Sequence, residues 1–437
     1  MEWSRYNKLF KSDKYGYLLY NSLTNSFVEL DDDSFSYLKS LEKKENIKIE
    51  DCSFFEELKQ MKVLVDNDRD EFYNIKYTTH FQRFENGYLE LTINPTIHCN
   101  FACPYCFEAH KPPIYMTDEV EDALFNFVQN QKAIRHIHVT WFGGEPLMAF
   151  DRMKSITHRM KQIDVKYTSK IITNGFLLTD KVIDSLNDLD VSSIQITIDG
   201  LKEEHDKLRC LTNGTGTFDV IIKNIDNLLS KNNEIFIGIR VNIDVKNAEK
   251  FIDVYKFFAN KYRGKKIAIS PGFISNESGC IPSDCIFDSE KKSLFLMKLY
   301  KDYGLNAMSL YPLKYRYECA IRNPHHLTIG PEGEIYKCWN DVGNPEKVVG
   351  SLINKELVNS KLLTRYYVAG DALENKDCQD CFLFPRCGGG CPYNRIENEF
   401  KGTEEYMDLC DYRKNHLEEF LELHYDFRQR VNAISLD

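Results

Sequence analysis

Between about residues 88 and 273 the chain alternates short apolar stretches with stretches of helical period, and no other feature constrains its fold as tightly. The strand-like stretches are 89–93, 136–141, 169–173, 193–198, 235–243 and 266–270. Helical spacing fills the gaps, for example over 120–128 and 220–229. Six strand–helix units imply a parallel sheet, because parallel neighbours need a long crossover, usually a helix. A closed or partly closed sheet of this kind collects its reactive groups at the C-terminal ends of the strands.

The remainder divides around that region. With 437 residues and about 150 per domain, two to three domains are expected. Segment 1–80 reads as a small unit with strands over 15–21 and 26–30, turning at Leu23, Thr24 and Asn25. Asp31-Asp32-Asp33-Ser34 then caps a helix carrying Phe35, Leu38 and Leu41. A second helix over 52–61 and a strand over 63–65 complete it; the competing reading is a helical decoration of the main domain. Segment 276–437 shows a helix over 289–303, a loop-rich stretch with seven cysteines, and a helix over 416–427. Apolar residues are 43% of the chain, enough for a sizeable core, and the net charge of −10 argues against nucleic acid or an anionic membrane as partner. No apolar run approaches the ~18 residues that span a bilayer. Residues 1–19 lack the apolar centre of a signal peptide, so a cytoplasmic protein is expected.

Fourteen cysteines are too few for a disulfide scaffold and, in a reducing compartment, point to metal. Cys99, Cys103 and Cys106 form one group; Cys319, Cys338, Cys378, Cys381, Cys387, Cys391 and Cys410 form another; Cys52, Cys210, Cys280 and Cys285 stand outside both. Three thiolates within eight residues wrap one face of a 4Fe–4S cubane and leave one iron open, whereas clusters that only carry electrons take four cysteines. The alternative is a zinc site completed by His98 or His110.

This C-x3-C-x2-C loop follows the first strand directly and, with Tyr105 before its last cysteine, resembles the signature of radical S-adenosylmethionine (radical SAM) enzymes. Gly143-Gly144-Glu145-Pro146 stands after the second strand, where that family has a Gly-Gly-Glu-Pro run. The resemblance implies that the glycine pair lets backbone approach a ligand and that strand-edge carbonyls accept from the SAM ammonium group. Asn174 ends the third strand, and Gln195 to Asp199 the fourth. His205-Asp206-Lys207-Leu208-Arg209 resembles the family's H-D-x-x-R segment, which makes Arg209 a partner for the SAM carboxylate; a surface salt bridge is the plain alternative. Arg240 and Asn242, polar on a buried strand, would bond SAM or an internal network. The implied cofactor contacts are therefore Tyr105, Gly143, Gly144, Glu145, Pro146, Asn174, Gln195, Asp199, Arg209 and Arg240.

The second group runs Cys319-x13-Gly333-x4-Cys338, then Cys378-x2-Cys381-x5-Cys387-x3-Cys391, then Cys410. In isolation the C-x2-C pair reads as a zinc ribbon. The whole order resembles the SPASM extension of peptide-modifying radical SAM enzymes, which holds two auxiliary 4Fe–4S clusters. The resemblance implies an inner cluster on Cys319, Cys338 and Cys391 and an outer one on Cys378, Cys381, Cys387 and Cys410. The inner set is one ligand short, to be filled by His325, His326, Cys280 or Cys285, or left open for substrate. The implied fold is α/β: a partial (β/α)6 TIM-like barrel over 85–275 and a loop-rich Fe–S domain over 276–437. Segment 1–80 resembles a winged-helix peptide-recognition domain, whose free strand edge accepts an extended leader peptide beside Leu19, Phe27, Val28 and Phe35.

The cofactors implied are SAM and three 4Fe–4S clusters, with a flavodoxin or ferredoxin as electron donor. In such enzymes the reduced first cluster cleaves SAM to a 5′-deoxyadenosyl radical, which takes hydrogen from the substrate. Two enzyme readings compete: a maturase that crosslinks a ribosomally made precursor peptide, and an anaerobic sulfatase maturase that forms formylglycine. The latter family places Asp immediately after the second auxiliary cysteine; here that residue is Trp339, and Asp341 lies two further on. A non-catalytic Fe–S or zinc scaffold that binds a peptide is the reading from another class, and it would release no 5′-deoxyadenosine. Three cubanes require about twelve irons in the anaerobically reconstituted protein. Replacing Cys99, Cys103 and Cys106 together by Ala is expected to remove about four of them and abolish SAM cleavage, measured by iron assay and 5′-deoxyadenosine release.

Overall fold

A computed structural model describes residues 1–43, 52–106, 112–232, 234–274, 282–306, 311, 319–400 and 409–434. The chain packs as two discontinuous units, one of residues 1–83, 288–319 and 369–437, the other of 84–287 and 320–368.

The first unit contains β1 (Glu2–Trp3), β2 (Asn7–Ser12), β3 (Gly16–Asn21), β4 (Ser26–Leu30) and β5 (Leu64–Val65). Strands β2, β3 and β4 form an antiparallel sheet, and β1 pairs with β5. The expected hairpin is β3–β4, turning at Asn25 in a left-handed conformation (φ 59°) that Asn tolerates. Helix Asp32–Glu42 begins on the Asp31 carboxylate, which accepts from Ser34 N at 2.8 Å. Helix Cys52–Gln60 follows, then helix Asp68–Arg83, which the sequence reading lacked. That helix buries Phe72 and Ile75 but exposes Tyr73, Tyr77 and Phe81, so apolar residues surround its axis and no single stripe stands out.

Leu9, Leu19, Leu38, Leu58 and Leu64 form one core below the small sheet. Phe10, Leu18 and Tyr20 on its other face pack with Leu383, Cys387, Leu421 and Tyr425. The segment read as separate over 1–80 thus shares its core with the cysteine-rich segment. Leu19, expected beside a peptide pocket, is core; Phe27 packs on Tyr20 and Tyr425, while Val28 and Phe35 lie against the Leu38 core. Helix Leu417–Ile434 clamps this arrangement through Asp426, whose carboxylate accepts from Lys14 Nζ, Tyr15 OH (2.6 Å), Tyr300 OH (2.7 Å) and Arg430 Nε (2.8 Å).

The second unit holds β6 (Tyr88–Ile93), β7 (His136–Trp141), β8 (Lys166–Thr173), β9 (Val191–Ile198), β10 (Phe236–Ile243) and β11 (Ile267–Phe273). All six expected strands are present, parallel and in sequence order. Helices Asp118–Gln129 and Phe218–Lys231 fall where helical period was read. The sequence reading missed β12 (His326–Ile329), which adds parallel to β6, and β13 (Glu334–Tyr336) and β14 (Gly350–Ser351), which continue antiparallel. Strands of two to four residues are too short to show a period. The order runs from β11 to β14 without pairing of the two ends among the described residues, so the barrel is partial.

Burial alternates along these parallel strands. Ile237, Ile239, Val241 and Ile243 of β10 are buried, while Gly238, Arg240 and Asn242 are more exposed. Parallel strands covered on both faces normally read as continuous apolar runs; here one face looks into a polar cavity. Among the described residues no helix is long and apolar enough to cross a membrane.

Burial of the Asp426 carboxyl would raise its pKa, but its four partners prevail and lower it to about 2. A carboxyl depressed in the folded state stabilises the protein above its unfolded value of about 3.8 and loses that contribution as pH falls through 2. Allowing for screening at the exposed Lys14 and Arg430, Asp426→Asn is expected to cost about 1–2 kcal/mol at pH 7, and the deficit to shrink between pH 4 and 2 in denaturant titrations.

Candidate active site

Backbone carbonyls hold the cysteine loop against the end of β7. Gly144 N donates to Thr96 O (3.2 Å) and Glu145 N to His98 O (2.9 Å). A Cβ at Gly143, where φ is +121°, would strike Thr96 O, and one at Gly144 would strike Ile97 O and His98 O. The glycine pair therefore serves close approach to the chain entering the cysteine loop, and both glycines also line the cavity beside it. On the far side Ala102 N donates to Cys210 O (3.0 Å), and Thr212 N donates to Asn100 O (3.1 Å). Phe101 anchors the middle: it is 2% exposed, lies edge-on to Phe176, and has the Arg209 guanidinium 5.5 Å from its ring.

Glu145 works inward from the same turn. Its fully buried carboxylate accepts from Thr173 Oγ1 (2.7 Å), Asn174 N (2.8 Å) and Leu147 N (3.1 Å). Burial raises this carboxyl to about 7, against the pull of those donors. Glu145 thus ties β7 to β8, and Pro146 starts a short buried 3-10 turn; neither lines the cavity. Asn174, fixed in this way, donates from Nδ2 to Asn100 Oδ1 at 2.8 Å and does line it.

His205 and Asp206 position Arg209. Asp206 Oδ1 accepts from Thr217 N (2.7 Å) and Phe218 N (2.9 Å), capping helix Phe218–Lys231. Thr217 Oγ1 donates to Arg209 O (2.6 Å) and so accepts from His205 Nε2 (3.1 Å), leaving Nδ1 to accept from Asp199 N (3.4 Å). Burial lowers His205 to about 3, so the imidazole is neutral. Arg209 is buried, and its Nη1 donates to Tyr105 OH at 2.9 Å. Tyr105 OH donates in turn to Asp199 and accepts from Asn242 Nδ2 (3.3 Å), whose Oδ1 accepts from Arg240 Nε (3.0 Å). Burial raises both the Tyr105 phenol and the Asp199 carboxyl, which keeps the tyrosine proton in place. Arg209 is in an internal network rather than a surface salt bridge.

These elements enclose a cavity of about 400 Å3 at the C-terminal ends of the strands. Cys99, Cys103 and Cys106 line it together with Tyr105, Gly143, Gly144, Asn174, Gln195, Arg209, Arg240 and Asn242. Asp199 lies behind it, with Oδ1 lacking a hydrogen-bond partner, and Arg209 Nε is likewise buried without one. Sequence reasoning missed Thr197, Phe142, Phe273, Trp339 and Asn340 in the wall. Strand period would have found Thr197, two residues after Gln195; Trp339 and Asn340 come from a distant segment and carry no such signal.

The fit to the implied cofactor is good. Three thiols offer an incomplete cubane site. Beside them two guanidiniums and four carboxamides suit the carboxylate, ammonium and hydroxyl groups of SAM, in a volume within the usual range for small ligands. Among the described residues no three Cys, His, Asp or Glu side chains are grouped to hold a single metal ion. His98 Nδ1 contacts Tyr115 OH at 2.9 Å, and His110 is outside the described residues. Of the suggested fourth ligands, His326 lies on β12 with Nε2 3.7 Å from Glu90 Oε2, His325 precedes it, Cys285 is buried beside Asp284, and Cys280 is outside the described residues.

Residues 93–258 match the family model described as the radical SAM superfamily. A serine-type anaerobic sulfatase-maturating enzyme of Bacteroides thetaiotaomicron is 26% identical over 359 residues, covering 71% of this chain and 84% of that protein. The radical SAM cyclopropyl synthase TigE of Paramaledivibacter caminithermalis is 23% identical, covering 94% and 93%. Among solved structures, native anSMEcpe with bound AdoMet and Cp18Cys peptide superposes with a TM-score of 0.61 at 21% identity, covering 79% of this chain and 99% of that one. Streptococcus suis SuiB bound to precursor peptide SuiA gives 0.52 at 16%, covering 94% and 99%. At these identities the structural likenesses establish the fold.

Gly144→Ala drives a methyl group into the backbone that leads to Cys99. The expected result is loss of about four irons and at least a hundredfold drop in SAM cleavage, with the auxiliary irons retained; a fully loaded, active variant would contradict this account of the loop.

Proposed function

We propose that this chain, whose residues 93–258 form a radical SAM domain, oxidatively modifies a peptide or protein substrate, and that its substrate is a ribosomally made precursor peptide. The observation that carries the reading is the shared cavity of Cys99, Cys103, Cys106, Arg209 and Trp339. Cluster and SAM supply the one-electron chemistry that generates a hydrogen-abstracting radical. The chain's own residues orient and shield it. Tyr105, Asp199 and Arg209 hold a fixed polar floor, and Asn174, Gln195 and Arg240 offer groups to the cofactor. Phe142 and Trp339, with ring centroids 6.0 Å apart, form an aromatic mouth with Phe273 and Asn340. Such a mouth excludes water and receives an apolar side chain.

Trp339 follows Cys338 directly, so one proposed ligand of an auxiliary cluster adjoins this mouth in sequence. An auxiliary cluster there would take the second electron of a net two-electron oxidation. The Bacteroides relative, named for sulfatase maturation, supports formylglycine formation as a second reading. That reaction must release a proton from a Ser or Cys side chain. Among the described cavity residues no carboxylate is present, and Asp341, two positions past Trp339, is buried and accepts from Tyr366 OH at 2.7 Å. The arrangement favours the precursor peptide, as does the likeness over more than nine-tenths of the chain to TigE and SuiB. A leader segment would add to β4, the end of its sheet among the described residues. Cytoplasmic location and a flavodoxin-type donor belong to the same proposal.

The test is incubation of the reconstituted enzyme with SAM, dithionite and either the short peptide encoded beside its gene or a sulfatase peptide. Loss of two hydrogens from the former, without change in the latter, is expected by mass spectrometry. Trp339→Ala is expected to keep SAM cleavage but raise KM for the accepted peptide at least tenfold, about 1.4 kcal/mol.

A further inference from the structure

We infer that Arg395 sets the reduction potential of an outer iron–sulfur cluster by hydrogen-bonding one of its cysteine ligands. The inference rests on the reading of Cys378, Cys381, Cys387 and Cys410 as one cluster site. All four belong to the first unit. Arg395 lies on helix Pro392–Phe400, just past the last cysteine of the Cys387-Gly-Gly-Gly-Cys391 run. Its Nη2 donates to Cys378 Sγ at 3.0 Å, while Nε donates to Gly389 O at 2.8 Å.

The glycine run is shaped for that contact. Gly388, Gly389 and Gly390 all have positive φ (65°, 86° and 78°), a succession that side chains with a Cβ rarely adopt. A Cβ on Gly389 would collide with Ala372, and one on Gly390 with the carbonyl of Leu409, the neighbour of Cys410. The turn is thereby pressed on one side against the chain leading into Cys410, while Arg395 joins it to Cys378 on the other. Three limbs that carry cysteines thus converge on the glycine turn, two of them bonded to the Arg395 guanidinium.

A four-thiolate cubane carries net negative charge in both of its usual states, and one more on reduction. A guanidinium donor on a ligand sulfur stabilises the reduced state more and so raises the potential, as hydrogen bonds to cluster sulfurs do in general. The Arg395 donor is aimed at the sulfur where thiolate charge would develop. Lys414 Nζ, 3.9 Å from Cys410 Sγ, is a weaker and exposed second donor.

The test is anaerobic voltammetry of the reconstituted full chain, with iron counted in the same samples. Arg395→Met removes the donor and keeps the side chain's length. One couple of the set is expected to move down by at least 59 mV, a tenfold change in its one-electron equilibrium, with iron content unchanged. A fully loaded variant whose couples all stay in place overturns the inference. If the Met variant does not load iron, Arg395→Gln decides, because it removes the guanidinium charge while keeping a polar side chain that can still bond the glycine turn. A lowered couple in the Gln variant supports the inference and an unmoved one overturns it. Wild-type protein with only about eight irons, and no loss on Cys387→Ala, would instead remove the outer-cluster reading and the inference with it.

Discussion

The site depends on one main-chain contact: carbonyls of residues 96–98 against the glycine pair at the end of β7. Neither partner uses a side chain, so the distance between the cysteine loop and the sheet is set by backbone geometry alone. Everything chemical is referred to that contact. Glu145, the next residue, carries the reference across to β8 through Thr173 and Asn174, and Asn174 returns it to the loop at Asn100. The cycle closes on itself and holds residues 96–100, with Cys99 among them, through contacts made by the protein alone. Pre-organisation of this kind lowers the ordering cost that a ligand would otherwise meet.

The interior of the sheet is organised by polarity. Outward positions on β6 to β10 are mostly Leu, Ile and Val, with Trp141, Tyr167, Ser169 and Thr173 among them, whereas inward positions include Glu90, His138, Lys170, Gln195, Arg240 and Asn242. A packed barrel core would place branched apolar side chains there. The polar choice leaves room for a cofactor, and where inward groups meet each other they are paired, as with His136 and His138 on Thr168 Oγ1. Unsatisfied polar atoms remain at Asp199 Oδ1 and Arg209 Nε, beside the cavity.

The parallel sheet could be read from the chain because each of these six strands exceeds five residues and helices of clear period, such as Asp118–Gln129 and Phe218–Lys231, separate several of them. Sites at strand ends followed from that reading, and Cys99 to Cys106, Asn174, Gln195, Arg209 and Arg240 are indeed brought to one cavity. Misreadings have a common cause in partner choice. Glu145 and Pro146 looked like ligand contacts because they adjoin the glycines, yet their side chains face inward to β8 and the core. Strands β12 to β14 are defined by what they pair with, not by their own sequences, and helix Asp68–Arg83 is hidden by its exposed aromatics. The break near residue 80 is also where the two units divide, but the segment before it does not stand alone, since one face of its small sheet is covered from beyond residue 380.

That last arrangement sets a clock on synthesis. Phe10, Leu18 and Tyr20 leave the ribosome early, but Leu383, Leu421 and Tyr425, which cover them, emerge some 370 to 400 residues later. At about 5–20 residues per second the apolar face waits on the order of 20 to 80 seconds for its cover. During that interval the nascent chain presents an incomplete sheet, the kind of surface that chaperones bind and that aggregates when translation outruns them. Cys387 belongs to the same late core, so the cover of the small sheet and a proposed cluster ligand emerge together.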